Sequence, residues 1–372
     1  MSTKEDHGPA SIAQHTIDRF LAMGMSGITR RFESAEGTGK SSTPSDQDVK
    51  EMAASVAAAA KPDPLAFHHL GQLKDEREIQ DHITSAMEAI KNDGRAAPLT
   101  APQPGALEAI VLLVGRPAIF IKDDSFDTPT GDWEILSAYR QDICKVIKSV
   151  GRIGVSMEYG FPYVGTGFVV AENLIMTNHH VIKDFVARVS DRWVLDPGCK
   201  MTIDFKQEFG LSKKSRFPIE SVIWTTDNTG EDVALLKLDT TVTADRPAPP
   251  PLRLQAESGY ANEGNNVYVV GYPAADPDRN DAFELHRIYD GVYEKKRLAP
   301  GRVMSIDNEK CCLSHDCTTL GGNSGSCVVD LATNSVIGLH FEGNYRVSNT
   351  AVFLPGLTAH PQIGKLNFRG GR

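Results

Sequence analysis

The chain has 372 residues, 41% of them hydrophobic, which is enough to bury more than one core. Its 39 basic and 48 acidic residues leave a net charge of −9, and this argues against nucleic acid as the main partner, because a phosphate-binding face shows as a basic cluster. The only basic runs, Lys213-Lys-Ser-Arg216 and Lys295-Lys-Arg297, are short and read as solvated loops.

In chain order, the N-terminus opens with Lys4-Glu-Asp6, acids where a secretory signal would be basic, and no long apolar stretch follows. No segment is long enough to span a bilayer, so no membrane partner and a cytoplasmic location are expected. Residues 1–104 read as a helical, partly flexible region. Gly37 to Asp48 is rich in Gly, Ser and Thr, and Met52 to Lys61 is Ala-rich and helix-prone. Ile79, Ile83, Met87 and Ile90 recur at helical spacing between Lys74 and Asn92. Such a stripe packs a core or contacts the next domain, and a regulatory protein partner could use this region. Ala96 to Gly105 reads as a Pro-rich linker. Residues 105–150 form a connector: a strand ending near Lys122, then a helical pattern from Asp132 to Val150.

From residue 151 to 372 the pattern becomes strand-like. Phe168 to Val170 and Leu174 to Met176 read as strands joined by a turn over Ala171 to Asn173, and Thr177-Asn-His-His-Val181 follows directly. A histidine just after a strand end is held by the sheet, and its unperturbed pKa suits it to act as a base near neutrality. In Gly230-Glu-Asp-Val-Ala-Leu-Leu-Lys-Leu238 an acid precedes an apolar run, so Asp232 is expected at the buried start of a strand, where a carboxylate can orient an imidazole. Asp227 and Asp239 flank that run and read as solvated loop acids. Thr319-Leu-Gly-Gly-Asn-Ser-Gly-Ser326, taken alone, reads first as an ordinary turn. A sharp bend there would aim the Gly322 and Ser324 N–H groups at one point, as an oxyanion hole requires.

These three stretches, in the order His, Asp, Ser, resemble the trypsin/chymotrypsin family of serine endopeptidases, and most closely its glutamyl-endopeptidase branch. Val267-Tyr-Val-Val-Gly-Tyr-Pro-Ala274 and Val336-Ile-Gly-Leu-His-Phe-Glu-Gly343 extend the likeness to about residues 150 to 368. Residues 105–150 are also similar to the connector of bacterial intracellular trypsin-like peptidases that carry a helical N-terminal extension. The resemblance implies a mainly β fold, a chymotrypsin-like double β-barrel preceded by a mostly α-helical region. It implies His180 as base, Asp232 as orienting acid and Ser324 as nucleophile acting through an acyl-enzyme on protein or peptide substrates, with no metal or cofactor. The family pattern leaves His179 as a variable, partly exposed residue without a role, and makes Ser326 structural.

The same resemblance places Thr319 and His340 at the specificity pocket and implies cleavage after Glu, Gln or Asp. The alternative is that His340 only packs in its strand, and Glu342, if it faced the pocket, would repel an acidic side chain. Thr318 stands where basic-residue specificity needs an acid, and Asn323 cannot form the ion pair by which a freed N-terminus activates digestive members. The six cysteines are expected as reduced thiols, with Cys311 to Cys317 on a strand rather than around zinc and Cys327 filling core. The rival from another class is an inactive protease-fold scaffold.

Overall fold

The computed structural model describes residues 76–93, 96–100, 117–129, 131–156, 163–190, 192–226, 231–241, 247–274, 291–344, 348–366 and 368–369, together with Lys50, Ala53 and Tyr289. The Gly/Ser/Thr-rich stretch, the helix at Met52 to Lys61 and most of the Pro-rich linker lie outside these residues. The chain separates into two compact units. One holds Met1–Arg116, Thr128–Ile135 and Asn280–Ile288; the other holds Pro117–Asp127, Leu136–Arg279 and Tyr289–Arg372.

Within the first unit, the stripe at helical spacing forms helix α1 (Glu76–Asp93), which buries Ile83, Ala86, Met87 and Ile90. The second unit is built from strands. It opens with β1 (Ile119–Lys122) and β2 (Ser125–Phe126) and then helix α2 (Arg140–Lys148), whose Ile143, Val146 and Ile147 point inward. The single helix expected from Asp132 to Val150 is split: a 3-10 turn covers Gly131–Ser137, and α2 begins only after Tyr139, whose φ of −103° and ψ of 7° break the helical path.

The first barrel is a closed ring of β3 (Val150–Ser156), β4 (Tyr163–Ala171), β5 (Leu174–Thr177), β8 (Lys200–Asp204), β9 (Arg216–Thr225) and β10 (Ala234–Leu238), in the order β10-β5-β4-β3-β8-β9. Alternation fills it. In β3, Ile153 and Val155 are buried while Arg152 and Gly154 are not, and Val169, Ile175, Ile203, Phe217 and Leu236 meet them inside. Each such side chain contributes about 2 kcal/mol of burial. Helix α3 (His179–Ile182) and a separate hairpin, β6 (Val186–Val189) with β7 (Arg192–Leu195), lie between β5 and β8.

The second barrel comprises β12 (Asn266–Gly271), β13 (Arg297–Asp307), β14 (Cys312–His315), β15 (Cys327–Asp330), β16 (Ser335–Asn344) and β17 (Ser348–Phe353). The order β12-β15-β16-β17-β14-β13 closes through the β12–β13 pairing. The short β11 (Leu254–Gln255) pairs with β16 and with β18 (Phe368–Arg369). Strand β1 extends β13, with Ile119 opposite Leu298. The mainly β, double-barrel, chymotrypsin-like architecture expected from the sequence is the one that forms.

The basic run at residue 295 is a correction. Lys296 and Arg297 are buried rather than solvated. Lys296 Nζ donates to the Ile147 and Phe205 carbonyls at 2.8 and 2.7 Å and lies 3.4 Å from Glu208 Oε1. Arg297 donates to the Ala118, Tyr289 and Val292 carbonyls and stacks on Phe120. Two adjacent cations can be buried because carbonyls and a carboxylate satisfy their N–H groups. Sequence spacing carries no sign of that.

Candidate active site

Strand pairing brings the candidate base and acid together. Ala234 of β10 lies opposite Thr177 of β5, and continuing that antiparallel register by two residues sets Asp232 level with the start of α3. Asn178 holds this junction by donating from Nδ2 to the Asp232 carbonyl at 2.8 Å. Asp232 Oδ1 accepts the His180 backbone N–H at 2.9 Å, and Oδ2 lies 2.5 Å from His180 Nδ1. Both groups are part-buried. Burial pushes the Asp232 carboxyl upward, but the hydrogen bond and charge of His180 outweigh it and leave the pKa below the ordinary carboxylate range. With Nδ1 committed to Asp232, Nε2 is the ring nitrogen left for other chemistry.

His179 differs from expectation. It is buried, its Nδ1 lies 3.0 Å from Thr225 Oγ1, and its ring meets Trp193 edge-on. Adjacent residues on a helix project about 100° apart, so one histidine packs against Thr225 and Trp193 while the other reaches the acid.

Ser324 lies on the loop between β14 and β15, and that loop is fastened to the first barrel. Thr166 of β4 donates its N–H to the Ser324 carbonyl at 2.8 Å and its hydroxyl to the Gly322 carbonyl at 2.9 Å. Thr177, two residues before the histidine pair, donates its hydroxyl to the Thr166 carbonyl at 2.7 Å. Gly325 sits against this contact with φ of +88°, and a Cβ there would lie 1.9 Å from the Thr166 carbonyl oxygen, so only glycine fits.

The loop's own bonds aim its N–H groups. Gly321 accepts from the Ala274 N–H at 2.7 Å, and peptide planarity turns the Gly322 N–H the opposite way; Gly322 has φ of +85°. The Asn323 carbonyl accepts from Ser326 at 2.8 Å and turns the Ser324 N–H away likewise. Ser324 Oγ donates to the Phe341 carbonyl at 3.4 Å, a rotamer in which it makes no hydrogen bond to His180.

Comparison with known proteins bears on this arrangement. Residues 165–339 match the trypsin-like peptidase domain. A probable serine protease of Lysobacter enzymogenes is 30% identical over 293 residues, 68% of this chain and 74% of that protein. The chain belongs to the trypsin-like serine peptidase family. A glutamyl endopeptidase of Staphylococcus epidermidis is 28% identical over 193 residues, 51% of this chain and 58% of its own length. The Rv3671c protease from M. tuberculosis, in inactive and active forms, aligns over 60% of this chain and 92% and 84% of those chains, at 20% and 18% identity with TM-scores of 0.38 and 0.40.

In this trypsin-like peptidase the remaining predicted residues, Thr319 and His340, fall in a polar cluster on the second barrel. His340 is opposite Ala351 on β17, and Asn349, two residues before Ala351, is opposite His315 on β14. Paired and alternate residues share a face, so His340, Ala351, Asn349 and His315 point the same way. Across the small Ala351, His315 Nε2 lies 3.3 Å from His340 Nδ1. Thr319 Oγ1 donates to Asn349 Oδ1 at 2.6 Å, and Asn349 Nδ2 donates to the Cys317 carbonyl at 2.6 Å. Burial lowers the pKa of His315 to about 3; burial and the charges of His315 and His180 hold His340 well below the usual histidine range. Both rings are therefore neutral at physiological pH. Glu342 is exposed.

Four residues of this region carry no signal in the sequence. Thr166 and Thr177 stand in stretches with recognisable motifs, but nothing local shows what their hydroxyls bond. His315 and Asn349 join the cluster only through the β14–β17–β16 ladder. All six cysteines are unpaired, and Cys327 is fully buried, its thiol pushed up to about 12 by that burial.

Proposed function

We propose that the chain is a serine endopeptidase in which Ser324 is the nucleophile, His180 the general base and Asp232 the residue that orients it. The observation that carries this reading is the double grip of Asp232 on His180, one oxygen on the backbone and one on the ring. That grip selects the tautomer with a bare Nε2, the form able to take a proton from a serine hydroxyl, and it stabilises the imidazolium formed when it does. Ser324 gives up its long bond to Phe341 and turns to Nε2 when a peptide carbonyl arrives. It attacks the carbonyl carbon, and the oxyanion is met by the Gly322 and Ser324 N–H groups. His180 then protonates the leaving amine, and water, activated by the same base, releases the acyl group.

The histidine and threonine of the polar cluster support cleavage after Glu, Gln or Asp, since both are side chains that hydrogen-bond a carboxyl or carboxamide. The helical N-terminal region is proposed to couple this activity to a regulatory partner. An active-site fluorophosphonate tests the chemistry directly. Labelling of the full-length chain and its loss in Ser324→Ala are expected; an unlabelled wild type would favour an inactive scaffold.

A further inference from the structure

Thr319 has one hydroxyl proton, and the network decides where it goes. The Cys317 carbonyl can only accept, so the Asn349 amide must present Nδ2 to it and Oδ1 to Thr319. Thr319 Oγ1 consequently donates to Asn349 Oδ1, and towards any ligand the partly exposed hydroxyl offers lone pairs alone.

The two histidines admit a parallel argument. His315 Nδ1 is buried without a hydrogen-bond partner. Were His340 Nδ1 the donor between the rings, His315 would carry its proton on that orphaned nitrogen, leaving a buried N–H unmade. Buried N–H groups are rarely left so, whereas an unused lone pair costs less. His315 Nε2–H therefore donates to His340 Nδ1, and His340 carries its own proton on Nε2.

We infer that this pocket reads a carboxamide, that glutamine rather than glutamate is the residue recognised before the cleaved bond, and that Asn349 determines this specificity by consuming the Thr319 proton. The inference rests on the reading above that Thr319 and His340 line the primary specificity pocket, and it narrows that reading. His340 Nε2–H donates to the glutamine carbonyl, and the glutamine NH2 donates to Thr319 Oγ1. A carboxylate has only acceptors, so one of its oxygens would face the Thr319 lone pairs. Its charge would also be buried beside two neutral rings. His340 and Asn349 are diagonal neighbours on one sheet face, and the Asn349 bond holds the Thr319 hydroxyl on that same face, so both partners of the carboxamide lie on one side of the sheet.

The test uses the full-length chain at neutral pH and three peptides that differ only in Gln, Glu or Met before the scissile bond. Wild type is expected to turn over the Gln peptide at least ~10-fold better than Glu, by kcat/KM. Thr319→Val should cut the advantage of Gln over Met, leaving only the His340 bond to the carbonyl, while Thr319→Ser preserves it. Asn349→Ala frees the Thr319 proton and should move the Gln/Glu ratio towards one. Thermal melts identify any variant that fails to fold, and the Ser/Val pair reads the same hydroxyl without touching Asn349. Fluorescence anisotropy of the same peptides on Ser324→Ala gives the ratio without turnover. Glu equal to or above Gln in wild type overturns the inference and leaves the pocket reading intact. Equal treatment of all three peptides overturns both. An unchanged ratio in a folded Asn349→Ala removes Asn349 from the assignment.

Discussion

His180 has two ring nitrogens in different employment, and the difference is set by a single carboxylate. Asp232→Asn keeps the shape but offers an amide N–H where an acceptor is needed, so the ring turns or changes tautomer. A fall of about 10⁴ in kcat is expected, read by steady-state hydrolysis, with the fold unchanged by circular dichroism. The Asp232 carboxyl also links the site to stability. Its pKa is lower in the fold than in the unfolded chain, so its contribution is in place above about pH 4 and is lost as pH falls through the folded value. Gly325 is constrained by space as well as by backbone angle. Gly325→Ala must displace the Thr166 carbonyl, and with it the fastening of the Ser324 loop. A loss of at least ~2 kcal/mol by urea denaturation and reduced fluorophosphonate labelling are expected together.

Among the elements, β13 bears an unusual load at its first residue, Arg297, and at Lys296 just before it. Lys296 joins it to α2 through Ile147 and to the end of β8 through Phe205, while Arg297 joins it to the residue before β1. Lys296→Met leaves the buried Glu208 with the Asp124 N–H and, as its nearest remaining cation, the more distant Lys206, and a loss of about 3 kcal/mol is expected in chemical denaturation. The pH dependence has a definite sign. Burial lowers the Lys296 pKa to about 8, against some compensation from Glu208. Between about pH 8 and 10 the unfolded chain holds a proton there that the fold does not, so this group makes stability rise with pH across that window. Lys296→Met should abolish that rise.

At the scale of the molecule, the two barrels share bonds that neither makes alone. Thr166 spans from β4 to the Ser324 loop, and the Tyr272 N–H donates to the same Thr166 hydroxyl at 3.3 Å. The buried Tyr272 hydroxyl reaches the Val150 and Asp204 carbonyls of the first barrel. Barrels joined in this way should unfold together, so calorimetry of the second unit's transition is expected to give a van't Hoff enthalpy equal to the measured one. Thr166→Val removes the hydroxyl at constant size. It should lower kcat more than it raises KM if, as proposed, the Ser324 loop meets the transition state while the His340 cluster binds substrate.

The order of His180, Asp232 and Ser324 and the strands that flank them were legible in the sequence, because each rests on a local pattern: alternation within a strand, a polar residue at its end, glycines at a sharp bend; the two-barrel architecture followed only from the family resemblance that these motifs carry. The burial of Lys296 and Arg297, the inward turn of His179 and the Asn349–Thr319 and His315–His340 contacts were not. Those depend on strand register and on which carbonyls happen to face a side chain, and residues 25 or 30 apart become neighbours only when β17 is laid between β14 and β16. Local chemistry named the groups that could react; the tertiary ladder decided which protons they hold.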